Sequence, residues 1–156
     1  MSLFKKGISI SSIAKGKSLA IEEVPDEVFA TKMMGDGYAV MPEENIIYAP
    51  TDGKVTMVMA NTKHAVGLEI KDGIEIMIHV GLDSVNLEGQ GFEAYVKQGD
   101  IVKKGDKLIS FDLETLEKNN ISPITMLVVV NDQNKKIKKM NLDTNVDINT
   151  TILELR

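Results

Sequence analysis

The sequence predicts an all-β fold: an antiparallel β sandwich or barrel-sandwich hybrid with little helix. Two observations support this prediction. Turn signals recur at short intervals, and the stretches between them have the length and composition of β-strands. The turn signals are GDG at 35–37, DG at 52–53 and 72–73, EGQG at 88–91, QGD at 98–100 and KGD at 104–106. Short strands separated in this way are typical of sandwiches and barrels.

The predicted strands follow one another along the chain, each rich in apolar and β-branched residues. They are YAVM at 38–41, KVTMVMA at 54–60, AVGLEI at 65–70, GIEIMIHV at 73–80, DKLISF at 106–111 and MLVVVN at 126–131. Only DLETLEKNN at 112–120 predicts a turn or two of helix. The paired QGD and KGD turns resemble the hammerhead turns of biotinyl and lipoyl carrier domains. Because no lysine lies in the hairpin those carriers require, we infer only the shared β architecture.

Length, charge and composition bound the function. The 156 residues fit one domain, which we expect to span residues 19–156 after a flexible tail and irregular first turn at 1–18. The net charge is −5, and since residues 1–20 contribute +4, the rest carries −9. This excess of negative charge over residues 21–156 argues against nucleic-acid binding. Without cysteine, a signal peptide or a membrane-length apolar run, the chain is expected to be cytoplasmic, with no stable membrane insertion.

The two histidines are the candidates for chemistry. Strand alternation puts the Ile74, Ile76, Ile78 and Val80 side chains on one face and those of Glu75, Met77 and His79 on the other. His79 is therefore expected to face away from the core. Polar residues and glycine follow it at the predicted end of the strand, namely Gly81, Asp83, Ser84 and Asn86. This concentration of polar groups predicts the rim of a site.

The second histidine lies in NTKHAVGL, where Thr62 shares its strand face and could orient the imidazole of His64. The apolar residues Val66, Leu68 and Ile70 would fall on that same face. Either the strand begins after His64, or a bulge near Gly67 changes its direction.

Two imidazoles without thiols suit three kinds of chemistry. A zinc hydrolase would need a third ligand such as Asp83. Acid–base hydrolysis would need a nucleophile elbow or a carboxylate pair, and no such motif is visible. In a phosphoryl relay, one imidazole nitrogen takes the phosphoryl group while the other imidazole and backbone N–H groups stabilise its oxygens.

Several motifs occur together in one order: EEVPDEVFATKMMGDGYAV, APTDGKV, NTKHAVGLEI, GIEIMIHVGLDSVNLEGQGF, VKQGDIVKKGDKLISFDL and SPITMLVVVN. Over about residues 15–131 they resemble the glucose-family IIA component of the bacterial sugar phosphotransferase system. The resemblance implies an antiparallel β sandwich in which His79 is the phosphoacceptor and His64 its auxiliary histidine. It also implies that Thr62 and Asp83 are polar neighbours of the pair. The implied partners are the histidine-containing phosphocarrier protein and a cysteine on the IIB domain of a sugar permease.

Further expectations concern the surroundings of His79. The Gly81 carbonyl or Asp83 could hold the non-reacting ring nitrogen. Phe29 and Met77 are expected to form an exposed apolar collar where partners dock. No cofactor is expected, although His64 and His79 could take up adventitious or regulatory zinc. The alternative to a phosphotransferase is a regulatory protein-binding module with a degenerate IIA-like surface.

The chain departs from the family pattern in two places. SSIAKGK at 11–17 stands where the family has A-P-x-x-G, and Thr125-Met126 stands where it has T-P. The opening strand is therefore expected to be irregular.

Overall fold

The computed structural model describes residues 7–156 and confirms the all-β prediction. The two α-helices of this part of the chain are short, α1 at Glu27–Ala30 and α2 at Leu113–Lys118. Single 3₁₀ turns occupy Ile21–Glu23, Lys71–Gly73 and Ser84–Leu87. The strands are β1 Ile8–Ser11, β2 Gly16–Ala20, β3 Asp36–Pro42, β4 Ile46–Tyr48, β5 Gly53–Val58, β6 Ala65–Glu69, β7 Glu75–Val80, β8 Phe92–Ala94, β9 Ile101–Val102, β10 Lys107–Phe111, β11 Thr125–Asn131, β12 Ile137–Lys139, β13 Asn145–Val146 and β14 Thr151–Leu155.

The strands form three antiparallel sheets. The largest has the order β13-β2-β3-β11-β7-β6-β5-β9, and two smaller sheets have the orders β1-β14-β12 and β4-β10-β8. Each of the six predicted strands is confirmed, as is the helix at 112–120, whose N-cap Asp112 accepts a hydrogen bond from the Glu114 backbone N–H at 3.0 Å. The QGD and KGD turns repeat one geometry. Asp100 and Asp106 each accept a backbone N–H from three residues earlier, at 2.9 and 2.8 Å.

Apolar clusters cover both faces of the eight-stranded sheet. On one face, Ile76 and Ile78 of β7 join a main core to which all three sheets contribute. On the other face, Met126 and Val128 of β11 pack in a second cluster with Ile21, Val24, Phe29, Ala39 and Ile124. Residues of β7 that point away from the main core, such as Met77, therefore pack against this second cluster and not into open water.

The expectation of a flexible tail over residues 1–18 does not hold from residue 7 onward, while its first six residues lie outside the described part of the chain. β1 pairs with β14, and β2 pairs with β3. The register of β1 shifts between Ile10 and Ser11, which agrees with the expected irregular opening strand. Ile10 and Ile13 are fully buried in the main core, and the Tyr38 hydroxyl donates to the Ser11 carbonyl at 2.8 Å. Charge and glycine content suggested a solvated segment, whereas the spaced isoleucines bring it into the core.

Within residues 7–156, no helix combines the length and the apolar character that crossing a membrane would require.

Candidate functional site

The antiparallel pairing of β6 with β7 brings the two histidines together. Ala65 is paired with His79, so His64, which comes immediately before β6, lies beside it. The His64 carbonyl accepts a hydrogen bond from the Val80 N–H at 2.7 Å, which extends the pairing beyond the strand end. Of the two expected arrangements, the strand beginning after His64 is confirmed. The irregularity near Gly67 lies in the neighbouring β5, between Val55 and Met57.

The imidazoles meet edge to face. Their centroids are 4.6 Å apart and their planes cross at 84°. Thr62 Oγ1 lies 2.7 Å from His64 Nδ1, so a hydrogen bond fixes that ring. His64 is almost fully buried, and burial lowers its pKa below the ordinary 6.5. The ring is therefore neutral near pH 7, with Nε2 as the nitrogen that the Thr62 bond leaves free.

His79 is partly buried, and its two nitrogens differ. Nδ1 is buried and has no hydrogen-bond partner among the residues that the structure describes. Because His79 lines a cleft and Nδ1 is its buried nitrogen, we infer that Nε2 is the nitrogen that faces the cleft. Burial, followed by the neighbouring His64, lowers the pKa of His79 to about 4. The Gly81 backbone and the Asp26 carboxylate act against this shift, although Gly81 falls short of a full hydrogen bond to Nδ1.

Gly81 ends β7 in a conformation that suits glycine. Its φ is +79°, and a Cβ at this position would lie 3.0 Å from the Ser122 carbonyl oxygen and 3.1 Å from Ser84 Cβ. The Gly81 N–H donates to the Ile124 carbonyl at 2.8 Å, and the Ser84 hydroxyl donates to the Val80 carbonyl at 2.5 Å. These contacts fix the chain directly after His79.

The cleft at the histidine pair is about 320 Å³ in volume and mainly apolar. Phe29 stands 5.1 Å from His79, centroid to centroid. The expectation that Phe29 and Met77 form an exposed collar is wrong for Phe29, which is 5% exposed, and only partly right for Met77, which is half-buried. Because α1 folds onto the second cluster, Phe29 becomes a wall of the cleft. The exposed apolar residues of the rim are instead Val28, Met59 and Val85.

Two carboxylates also line the cleft. Asp83 is exposed and lies at the start of the 3₁₀ turn Ser84–Leu87. Its backbone is in the left-handed region, with a φ of +58°. Asp26 caps α1 by accepting the Val28 N–H at 2.9 Å. The sequence interpretation missed Asp26, although an aspartate directly before a helical EVFA segment is a helix-start signal. No lysine or arginine of the described chain lines this cleft.

A tight zinc site built from three side chains of this chain finds no support among the described residues. Over residues 7–156, no group of three or more histidine, cysteine or acidic residues is placed to hold a metal ion. Asp83 therefore does not complete the three-ligand set that a tight zinc site requires. The geometry supports chemistry at the two imidazoles themselves.

Comparisons with known proteins identify the family of the chain. Residues 8–135 match the family model for the phosphoenolpyruvate-dependent sugar phosphotransferase system, EIIA 1. The glucose-specific EIIA component of Oceanobacillus iheyensis is 48% identical over 138 residues, which cover 88% of this chain and 83% of that protein. The glucose-specific EIICBA component of Staphylococcus carnosus is 51% identical over 117 residues. These residues cover 75% of this chain and 17% of that protein.

A solved structure extends the comparison to the whole chain. Glucose permease IIA from Mycoplasma capricolum superposes with a TM-score of 0.86 at 35% identity and covers 100% of both chains. The resemblance predicted from the sequence motifs is thereby confirmed. The chain belongs to the EIIA 1 family of the phosphoenolpyruvate-dependent sugar phosphotransferase system and is a phosphoryl-transfer component of that system.

Proposed function

We propose that Nε2 of His79 accepts the phosphoryl group from the histidine-containing phosphocarrier protein and passes it to a cysteine on the IIB domain of a glucose permease. The observation that carries this proposal is the edge-to-face pair of neutral imidazoles on an apolar cleft. The glucose assignment rests on relatives named glucose-specific. The Staphylococcus carnosus relative supports a IIB partner, because its name joins A to B and C units. The proposed reaction is cytoplasmic, where phosphoenolpyruvate is made.

His79 suits the role of nucleophile better than His64 does. Its lowered pKa keeps the imidazole unprotonated, so a lone pair is available at Nε2 without a separate base. With Nδ1 buried, the ring presents Nε2 to the cleft. His64 is only 3% exposed and its Nδ1 is bonded to Thr62, which leaves it less accessible to an incoming phosphorus atom.

His64 suits the role of hydrogen-bond donor. If the Thr62 hydroxyl donates to Nδ1 across the 2.7 Å contact, the proton of neutral His64 resides on Nε2. That N–H can then donate to an oxygen of the phosphoryl group held on His79, 4.6 Å away between ring centroids. Thr62 acts through His64 as a positioning residue.

The transfer proceeds by exchange of one bond for another. The N–P bond of the donor breaks as the bond from His79 Nε2 to phosphorus forms, and this bond later breaks as the cysteine S–P bond forms. Such reactions depend mainly on positioning and on stabilising charge. The apolar walls exclude water when a partner docks, which strengthens the electrostatic stabilisation of the phosphoryl group. Because no cation of the described chain lines the cleft, the proposal assigns the positive charge facing the phosphoryl oxygens to the docked partner.

The test is loading from phosphoenolpyruvate. The protein is incubated with phosphoenolpyruvate, enzyme I of the system and the phosphocarrier protein, and analysed by intact and peptide mass spectrometry. We expect one acid-labile, hydroxylamine-sensitive phosphate on His79 and none on the His79→Gln variant. His64→Gln retains an N–H donor, so it should load more slowly, by up to about 10²–10³-fold, but not fail.

Two results would contradict the proposal. Loading of His79→Gln together with failure of His64→Gln would exchange the two roles. No phosphate on the unmodified chain, under conditions in which the phosphocarrier protein itself is loaded, would favour the regulatory binding module. Circular dichroism of each variant shows whether the fold is retained.

A further inference from the structure

Methionine is concentrated around the histidine pair. The chain has nine methionines and no cysteine, so all of its sulfur atoms belong to methionine thioethers. Four of them line the cleft: Met34, Met57, Met59 and Met77. Met34 lies in the loop before β3, Met57 on β5, Met59 directly after β5 and Met77 on β7. The fold therefore brings them together from separate segments.

The cleft methionines are reachable by a small molecule. Met59 is 38% exposed, and Met34, Met57 and Met77 are half-buried on the cleft wall. By contrast Met126, which is paired with His79 across β7 and β11, is fully buried beneath the site. Solvent access is one of the conditions for oxidation of a side-chain sulfur.

We propose that the methionines of this cleft are a reversible oxidation site that slows phosphoryl transfer. In the oxidation step, a thioether sulfur gives an electron pair to one oxygen of hydrogen peroxide. The O–O bond breaks, the S–O bond of the sulfoxide forms, and water leaves. In the reverse step, a methionine sulfoxide reductase uses two electrons from a dithiol, which becomes a disulfide, and the oxygen leaves as water.

The physical effect follows from the apolar cleft. A sulfoxide is polar and accepts hydrogen bonds, so a docked partner would bury this acceptor among the apolar side chains of the cleft, which cannot donate to it. We expect oxidation to slow loading about tenfold, which corresponds to about 1.4 kcal/mol. This inference rests on the proposed function, because it assumes that partners dock over His79.

The experiment measures the rate of loading from the phosphocarrier protein before and after mild peroxide treatment of the chain. Catalase removes the peroxide before the untreated phosphocarrier protein is added. Peptide mass spectrometry locates the sulfoxides. We expect sulfoxide at Met33, which is 74% exposed and lies outside the cleft, and at the cleft methionines, of which Met59 should react first. We also expect a rate about tenfold lower and recovery after methionine sulfoxide reductases with dithiothreitol.

Leucine variants assign the effect. Leucine keeps the apolar volume and lacks the sulfur, so the chain with all four cleft methionines changed to leucine should show the same rate before and after peroxide. Each variant is compared with its own untreated rate. The matched control is Met41→Leu, because Met41 is 39% exposed, close to the value for Met59, and does not line the cleft. This control should lose rate as the unmodified chain does.

Two results would overturn the inference. One is the formation of sulfoxides at the cleft methionines with no fall in the rate of loading. The other is a fall in rate in the chain lacking the four cleft methionines that equals the fall in the unmodified chain. Absence of loading in the untreated chain is a separate result, and it would overturn the proposed function and this inference together. The single variant Met59→Leu, a change at a partly exposed position, should lessen the loss and tests the idea if the fourfold variant does not fold.

Discussion

At the scale of the residue, burial decides the chemistry of His79. The ring would titrate near 6.5 in water, but the cleft and the neighbouring His64 bring its pKa to about 4. The imidazole is therefore neutral across the physiological range without help from a base. The Asp26 carboxylate opposes this shift and does not reverse it.

The lowered pKa predicts a pH dependence of stability. Between pH of about 4 and 6.5 the unfolded chain binds a proton at this histidine and the folded chain does not, so stability falls as the pH is lowered through this window. The full effect is roughly 3 kcal/mol. Urea unfolding of the unmodified chain and of His79→Gln at several pH values isolates it, because the variant should lack this part of the slope. An NMR titration of His79 near 6.5 would contradict the prediction.

The alternation of side chains along GIEIMIHV correctly predicted the two faces of β7, and the sequence motifs correctly paired His79 with His64. Alternation alone could not reveal which residues cover the second face. The burial of Phe29 depends on α1 folding across the sheet, and a four-residue helix has too little periodicity to be recognised. The contact between Thr62 and His64 was predicted because the two residues are close in sequence.

At the scale of the element, the site depends on how β7 ends. Gly81 turns the chain within contact distance of Ser122 and Ser84, and so holds the segment after His79 against the loop before β11. Long strands with alternating patterns were predicted from the sequence. Strands of two or three residues, such as β9 and β13, carry no pattern and are set by the partner strand they meet.

Replacement of Gly81 by alanine should therefore cost more than replacement of an ordinary turn glycine. A Cβ would meet the Ser122 carbonyl at 3.0 Å in addition to the strain of a φ of +79°. We expect a loss of about 2–3 kcal/mol in the free energy of unfolding, together with slower loading of His79. Gly105→Ala is the matched control. Its φ is +92° with no atom within 4 Å of the new Cβ, so only about 1 kcal/mol should be lost. Equal losses in the two variants would mean that the contacts around Gly81 are unimportant.

At the scale of the whole molecule, the eight-stranded sheet separates two tasks. Its inner face joins the main core shared by the three sheets, and its outer face carries the second cluster and the histidine cleft. The main core thus lies largely on the face opposite the histidine cleft. Substitutions in the main core away from β6 and β7 should change stability with little direct effect on the chemistry at His79.

The first strand gives a test of this division. Ile10 is fully buried in the main core on β1, which would be unimportant if residues 8–18 were a tail. Ile10→Ala should lower the free energy of unfolding by about 2–4 kcal/mol, because it leaves a cavity among packed side chains. Val130→Ala, at a position 52% exposed on β11, should change it by no more than about 0.5 kcal/mol. Urea unfolding measures both. If Ile10→Ala lowered the free energy of unfolding no more than Val130→Ala, β1 would contribute little to the core. A large loss of stability in Ile10→Ala, with normal loading of the molecules that remain folded, would support the separation of the two faces.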